Sequence, residues 1–511
     1  MEVAATQPLP GLLDRERIVA GPGFNRWLVP PAALAIHLCI GMAYGFSVFW
    51  LPLSRALGVT QPVACPDLTL GRALLTTTCD WRVSDLGWMY TLFFVCLGSS
   101  AALWGGWLER AGPRKAGVVS AVCWCGGIVI AAIGVIVHQL WIMWVGGGVI
   151  GGVGLGLGYI SPVSTLVKWF PDRRGMATGM AIMGFGGGAM IGAPLANLLM
   201  TYFRTPTSVG VWETFLVLAA VYFVFMMGGA FLYRVPDSAL RATTRTPTIQ
   251  DSVHYQDAIK AKQFWLIWAV LCLNVSAGIG VIGMASPMLQ EIFGASAAVA
   301  AGFTGLISLF NIGGRFFWAS LSDRIGRKAT YATFFLLGIA LYASAPSLAR
   351  AGSQAAFVLA ICVIVSMYGG GFATIPAYLA DTFGTQYVGA IHGRLLTAWS
   401  TAGIIGPVLV NYIREAQIAA GVPRQQVYDF TMYILAGLLV FGFIANALVT
   451  PRQIPNPKSQ SPNPKKAIVG SWDLGFGRWD LLFAWTVVGV PLVWGTWVTV
   501  VQAVVLFTGG R

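Results

Sequence analysis

The chain has 511 residues, of which 56% are hydrophobic and only 10% are charged, and it contains 63 glycines and 20 tryptophans. This composition lies far outside the range of soluble globular proteins and predicts an all-α polytopic membrane protein. The net charge of +13 does not indicate nucleic-acid binding, because the basic residues stand singly or in short clusters between apolar segments.

The N-terminal tail carries charges without an apolar core, so we expect no cleavable signal peptide. Thirteen apolar segments follow it, each near the length of about 20 residues that crosses a bilayer. When the loops are assigned to alternating sides, 23 of the 32 Lys and Arg residues fall on the side of the N-terminus and seven on the other. The positive-inside rule then predicts a cytoplasmic N-terminus in a cell membrane, the inner membrane if the host is bacterial.

Two polar stretches rich in proline divide these segments into six, six and one. The predicted organisation is an N-terminal tail at 1–26, a six-helix bundle at 27–234, a cytoplasmic linker at 235–262, a second six-helix bundle at 263–449, a linker at 450–478 and an additional transmembrane helix at 479–511.

An internal repeat supports this division. The sequences GGWLERAGPRK at 105–115 and ASLSDRIGRK at 319–328 each follow the second span of their half, and both contain an acid, a base, a glycine and a basic pair. These paired turns resemble the signature of the major facilitator superfamily, which implies two bundles related by an axis along the membrane normal. Their charged residues are expected to act as a conformational latch: Glu109, Arg110, Arg114, Asp323, Arg324 and Arg327.

Segments 156–195, 311–327 and 383–407 narrow the resemblance to the oxalate/formate antiporter family. Its lactate- and pyruvate-transporting members are in turn similar to the animal monocarboxylate transporters. The resemblance covers about residues 27–449 and leaves the thirteenth segment outside. It implies a secondary transporter and not an enzyme, with no cofactor.

Arg315 stands in an otherwise uncharged apolar run, eight residues before Asp323 at the membrane boundary. That spacing places it roughly 12 Å deep, where a guanidinium costs between about 3 and 15 kcal/mol. A helix-locking ion pair is the alternative reading, but the apolar segments offer no embedded acid as its partner. An unpaired buried cation is expected to hold an exchangeable anion. In the family that the chain resembles, the arginine matching Arg315 binds the substrate carboxylate.

Asn311 precedes Arg315 by four residues, on the same helical face. In the animal monocarboxylate transporters this position resembles an aspartate that titrates with the arginine, so the asparagine removes the obvious proton carrier. His37 in the first span is the candidate for proton coupling, because histidine has an ordinary pKa of about 6.5. The alternative is a packing residue, which is the commoner role of a lone intramembrane histidine.

Four aromatic residues resemble family positions that line the central cavity, where hydroxyls could donate to a carboxylate: Tyr44, Tyr159, Tyr368 and Phe372. Ordinary aromatic packing is the alternative reading. Trp399 stands where oxalate-transporting members of the family carry a lysine. Because a dianion needs two cations and the spans show one, the substrate is predicted to be a monoanion.

The glycine runs at 146–158 and 184–192 lie within apolar spans and follow no strand, so they indicate close helix packing and not a phosphate-binding loop. Cys65 and Cys79 fall in the long loop between the first two spans, on the predicted outer side, where they form either a disulfide or two free thiols. No group of Cys and His residues has the spacing of a zinc site, and no metal is expected.

The predicted function is secondary active transport of a small monocarboxylate such as lactate, pyruvate or formate by alternating access. The expected partners are this anion, a proton or counter-anion, and the lipid bilayer, with no nucleic acid and with one chain as the functional unit. Oxalate/formate exchange is the alternative within transport. A membrane anion sensor without transport is the alternative from another class.

Overall fold

The computed structural model describes residues 11–21, 23–65, 69–170, 174–236, 253–384, 387–450 and 478–508. These residues are helical almost throughout and form no β-strand, apart from one isolated bridge between Val19 and Val235. Thirteen of their helices are long and apolar enough to cross a membrane. Apart from its ends, a helix satisfies its backbone hydrogen bonds internally, which a segment surrounded by lipid requires. The predicted all-α polytopic fold is confirmed.

The first six membrane helices are α1 (Arg26–Leu53), α2 (Val83–Ala111), α3 (Pro113–Ile136), α4 (140–169), α5 (Arg174–Phe203) and α6 (Val211–Leu232). The next six are α7 (Lys262–Gly283), α8 (Ala297–Ile325), α9 (Arg327–Arg350), α10 (Gln354–Phe383), α11 (Thr397–Ala419) and α12 (Asp429–Leu448). The additional helix is α13 (Arg478–Thr508).

Shorter elements flank or interrupt these helices. Part of α1 is a 3₁₀-helix at Gly41–Phe49, and α4 contains a π-helical stretch at Trp144–Gly151. Short helices stand at Leu70–Ala73, Tyr255–Ala258, Ala285–Phe293 and Val388–Leu395, and 3₁₀ turns at Arg15–Ile18 and Arg424–Gln426. Most of the predicted linkers at 235–262 and 450–478 lies outside the described residues.

The two halves repeat the same turn after their second helix. Gly112 ends α2 and Gly326 ends α8, with φ angles of 86° and 89°. Only glycine adopts this conformation readily, because it lacks a Cβ atom. The helices before these turns both have 29 residues, and those after them both have 24. The turns therefore match in backbone conformation as well as in sequence.

Helices of one half pack directly against helices of the other. The principal contacts join α2 to α11 and α5 to α8. We call the side where α1 begins the tail face, and the opposite side, which carries the loop between α1 and α2, the disulfide face. Arg315 lies in α8 at the level where these helix pairs meet.

Candidate functional site

Arg315 is 2% exposed. Its Nε donates to Asn311 Oδ1 over 3.1 Å, one helical turn away. The terminal nitrogens Nη1 and Nη2 are buried and have no hydrogen-bond partner among the described residues. The guanidinium therefore keeps two unsatisfied donors in the fork that a carboxylate can accept from bidentately.

Glycines bring the neighbouring helices close to this pair. A Cβ atom on Gly186 of α5 would lie 3.0 Å from Arg315 Nε, and one on Gly369 of α10 would lie 2.5 Å from Asn311 Oδ1. Ser308 Oγ, one turn away on α8, donates to the carbonyl oxygen of Gly186. The pair is thus held between α5 of one half and α10 of the other.

The predicted aromatic residues Tyr44, Tyr368 and Phe372 form a connected group beside Arg315. The hydroxyl oxygens of Tyr44 and Tyr368 are 2.8 Å apart, in a hydrogen bond that joins α1 to α10. The ring centroids of Tyr368 and Phe372 are 5.3 Å apart. The guanidinium carbon of Arg315 lies 5.8 Å from the Phe372 centroid, within cation–π range.

Trp399 and Tyr159 complete this group from α11 and α4. The Trp399 ring centroid lies 4.4 Å from that of Phe372 and 5.2 Å from that of Tyr159. Trp399 Nε1 and the Tyr159 hydroxyl are both buried and lack a hydrogen-bond partner among the described residues. They are two further donors for a ligand that presents oxygen atoms.

His37 packs behind Tyr159. Its Nε2 lies 3.1 Å from the backbone carbonyl oxygen of Tyr159, and because a carbonyl only accepts, Nε2 is the donor. The two rings are stacked with centroids 5.5 Å apart. His37 thus contacts Tyr159 through both its Nε2 and its ring, and its part in proton coupling stays a prediction.

Two residues that the sequence does not single out complete the aromatic cluster. Phe94 of α2 and Phe185 of α5 each lie 5.6 Å from Trp399, measured between ring centroids. Phe185 is also 4.9 Å from Tyr44. A phenylalanine in an apolar span has no sequence signal that separates a cavity wall from ordinary packing. Phe94 and Phe185 reach the cluster only because α2 and α5 pack near α11.

The cluster is tightly packed in this structure. A cavity bounded in part by Tyr44, Ser308 and Asn311 measures about 10 Å³. That volume is near the minimum for a single water molecule. Binding of an organic anion therefore requires the surrounding side chains to move apart.

Contacts between the halves extend from this level to the disulfide face. Trp50 Nε1 donates to the carbonyl oxygen of Gly283 over 2.9 Å. Trp88 Nε1 donates to the hydroxyl of Tyr412 over 3.0 Å. These bonds join α1 to α7 and α2 to α11 near their ends, so the structure is closed at the disulfide face.

The latch residues of the second half form contacts within that half. Arg327 forms ion pairs with Asp323 and, over 3.5 Å, with Asp381 of α10. Arg324 is exposed.

In the first half, Arg114 donates to the backbone oxygens of Leu12 and Phe231, both over 3.0 Å, and so joins the tail to α6. Arg110 is exposed, and the side chain of Glu109 lies outside the described residues. The role of these six residues as a latch between the halves stays a prediction.

Cys65 and Cys79 form a disulfide in the loop between α1 and α2, with Cα atoms 5.8 Å apart. Asp80 accepts three backbone N–H bonds of 2.7 to 3.0 Å from the same loop. His138 donates from Nε2 to the Cys79 carbonyl over 2.8 Å and stacks on Trp81 at 3.9 Å between centroids. Burial lowers the pKa of His138, which favours the neutral ring. The loop is therefore an ordered cap on the disulfide face.

A buried ion-pair network that the sequence does not reveal also lies at the disulfide face. The Glu291 carboxylate accepts from Arg414 Nε over 2.8 Å, from Arg424 over 2.9 Å and from the Tyr428 hydroxyl over 2.7 Å. Burial acts to raise the pKa of Glu291, but hydrogen bonds and charge from Arg414 outweigh it, and the net pKa lies below its ordinary value. The network ties α11 and α12 to the helix that follows α7.

Two six-helix halves with a polar site at their interface, near the middle of the helices, are typical of a class of secondary transporters. The fold is similar to that of the xylose transporter of Escherichia coli in a partially occluded inward-open conformation. The TM-score is 0.59 over 84% of this chain and 100% of that one, at 14% sequence identity.

Residues 33–407 match the model of the Major Facilitator Superfamily, and the chain belongs to that family. It is 25% identical to the oxalate:formate antiporter of Oxalobacter formigenes, over 75% of this chain and 83% of that protein. It is 24% identical to monocarboxylate transporter 11 of Homo sapiens, over 86% of each. The fold and relatives are those of integral membrane transporters and not of enzymes, which confirms the prediction.

Proposed function

We propose that this protein carries small monocarboxylates such as lactate, pyruvate or formate across the membrane, with the carboxylate bound by Arg315. The observation that carries the proposal is the buried guanidinium, which has one nitrogen bonded to Asn311 and two that find no partner in the described part of the chain. A carboxylate satisfies both free nitrogens and neutralises the charge. The relatives named for oxalate, formate and monocarboxylates support an organic anion as the substrate.

The aromatic cluster favours a small monoanion. Trp399, which matches a lysine of the oxalate-transporting members of the family, lies against Phe372 and contributes an indole ring and one N–H group. Among the described residues of this cluster, Arg315 is the sole arginine or lysine. One bound carboxylate therefore balances the charge of the site.

Substrate binding couples to movement of the halves through this charge. The site lies between α1 and α5 on one side and α8, α10 and α11 on the other, so it is shared by both halves. Closing the site around an uncompensated guanidinium is unfavourable, and a bound anion lowers that cost. Obligate exchange results if the empty site cannot close, and proton symport or uniport results if it can.

The cellular setting belongs to the same proposal. The distribution of loop charges supports a cytoplasmic tail face and an outer disulfide face, in the inner membrane if the host is bacterial. One chain contains both halves and the whole site, so a monomer suffices. The paired turns with Gly112 and Gly326 would then close the cytoplasmic side in the outward-open state.

Uptake into proteoliposomes tests the proposal. Radiolabelled lactate and oxalate are each offered to purified protein, with and without a proton gradient and with and without unlabelled substrate inside. We expect lactate uptake that exceeds oxalate uptake. Oxalate uptake without lactate uptake would assign an oxalate exchanger, and thermal stabilisation by one of the anions with no uptake of either would assign a sensor.

A further inference from the structure

The helix α13 lies across the seam between the two halves. It packs against α1 and α5 of the first half and against α8 of the second. Its buried Val488 contacts Leu34 and Ala35 of α1. Most of its remaining surface faces outward, since only 22% of its apolar window is buried. It therefore contacts both moving parts while belonging to neither bundle.

Thr499 is the point where α13 meets both halves at once. It is fully buried, and its Oγ1 donates to the carbonyl oxygen of Met190 of α5 over 3.0 Å. On its other side it lies against Gly305 of α8, where a Cβ atom would come within 2.3 Å of the same Oγ1. One side chain thus bridges α5 and α8.

Close contacts on either side of Thr499 extend this bridge. A Cβ atom on Gly302 of α8 would lie 2.5 Å from Gln502 Cβ, and one on Gly495 would lie 2.6 Å from Ile191 Cγ1 of α5. These glycines allow α13 to approach each helix more closely than any side chain would permit. The fit is specific to the relative position of α5 and α8 in this structure.

The contacts of Thr499 with α5 and α8 lie where an opening of the disulfide face would break them. Gly302 and Gly305 stand in the first three turns of α8, between Arg315 and the disulfide face, which is closed here. Opening that face moves the first turns of α8 away from α5, and α13 cannot then keep its contacts with both. We propose that α13 is a strap that favours the state closed at the disulfide face. The strap rests on the movement of the halves that the proposed transport cycle requires.

Spin-label distances test the strap in the full chain. Labels at Thr207→Cys and Ala351→Cys report the separation of the halves at the disulfide face, in a background with the half-buried Cys96 and Cys123 replaced by alanine. The contact variants are Gly305→Val, Gly495→Val and the milder Thr499→Ala. Matched controls are Gly313→Val in α8 and Gly489→Val in α13, where an added Cβ meets no atom within 4 Å.

We expect each contact variant to raise the ratio of long to short distances about fivefold, and the controls to match the parent. An unchanged or shortened distribution in all three contact variants, or an equal shift in contact variants and controls, would overturn the strap. Thr499→Ala keeps the test decisive if a valine variant fails to fold. The measurement needs no substrate, so its outcome is independent of whether lactate is transported.

Discussion

Arg315 combines a buried charge with two donors that have no partner among the described residues. A buried polar group without a partner costs about 1–3 kcal/mol, and a charged group costs more. Asn311 is neutral, so its bond to Nε orients the guanidinium without cancelling its charge. A carboxylate that accepted from both terminal nitrogens would satisfy these donors and balance the charge.

Replacement of Trp399 by lysine should change the preferred substrate charge. A cation in this place gives the site a second charge for a dianion, so we expect the ratio of oxalate to lactate uptake in Trp399→Lys to rise about tenfold. Trp399→Phe, which keeps a ring and loses Nε1, serves as the control and should leave the ratio low. An unchanged ratio in the lysine variant would remove Trp399 from the specificity of the site.

His37 is tested by its effect on the proton gradient. If it carries the coupled proton, His37→Gln retains exchange of labelled for unlabelled lactate and loses stimulation of uptake by a pH gradient. Both quantities are measured in the same proteoliposomes. Stimulation that survives the substitution would assign His37 solely to the support of Tyr159, through the 3.1 Å bond and the stacked rings.

Among the helices, α5 and α8 depend on glycine for their approach at the site. Gly186→Val adds atoms where a Cβ alone would lie 3.0 Å from Arg315 Nε. Overpacking of this kind costs about 1–3 kcal/mol, so we expect lactate uptake to fall at least about tenfold while the protein remains folded. Gly179→Val on the same helix, whose Cβ would meet its nearest atom at 3.9 Å, should retain uptake. Equal losses in both variants would contradict a local effect at Arg315.

The Glu291 network should make stability depend on pH. The folded protein holds the carboxylate pKa below the ordinary value of 4.5, so the stabilisation is complete above about that pH and is lost as pH falls through the lower, folded-state pKa. Glu291→Gln should lower the melting temperature at pH 7, because it leaves the buried Arg414 without its main counter-charge and costs about 3 kcal/mol. Melting curves between pH 3 and pH 7 check both the pH dependence and the effect of the substitution. Asp257→Asn, which removes the exposed ion pair between Asp257 and Lys260, is the control.

An equal melting temperature for Glu291→Gln and the parent at pH 7 would contradict this account. So would a parent protein whose stability does not change as the medium is acidified. The control should follow the parent at every pH, since an exposed ion pair contributes little.

The sequence predicts what lies within one helix better than what lies between helices. Thirteen apolar segments and the pair Asn311–Arg315 are readable because hydropathy and four-residue spacing are local properties. Gly112 and Gly326 are readable because a tight turn after a helix needs glycine. Phe94, Phe185 and the Glu291 network are not, because they come together only when α2, α5, α11 and the short helix at Ala285–Phe293 pack. The sequence around a phenylalanine or a charged residue at a helix end does not indicate which residues it will contact in the fold.

The whole molecule is two repeated halves closed over a shared site, with α13 laid across one seam. Composition and the paired turns predict two helical halves of the major facilitator type. The match of residues 33–407 to the model of that superfamily confirms this fold class. The position of α13 could not be predicted, because its apolar residues fit lipid as well as a groove between helices. The contacts of α13 with α5 and α8 depend on the folded arrangement of all three helices.

Calorimetric titration of purified protein with lactate tests most directly whether Arg315 binds the carboxylate of a small monoanion. We expect Arg315→Gln to raise Kd at least about thirtyfold, because a desolvated charge pair is worth about 2 kcal/mol or more. The Kd of Arg315→Lys should lie between those of the parent and of Arg315→Gln, since lysine keeps the charge and loses the bidentate fork. Arg204→Gln, in the exposed loop after α5, should bind as the parent does. Lactate binding of unchanged affinity in Arg315→Gln would contradict the account.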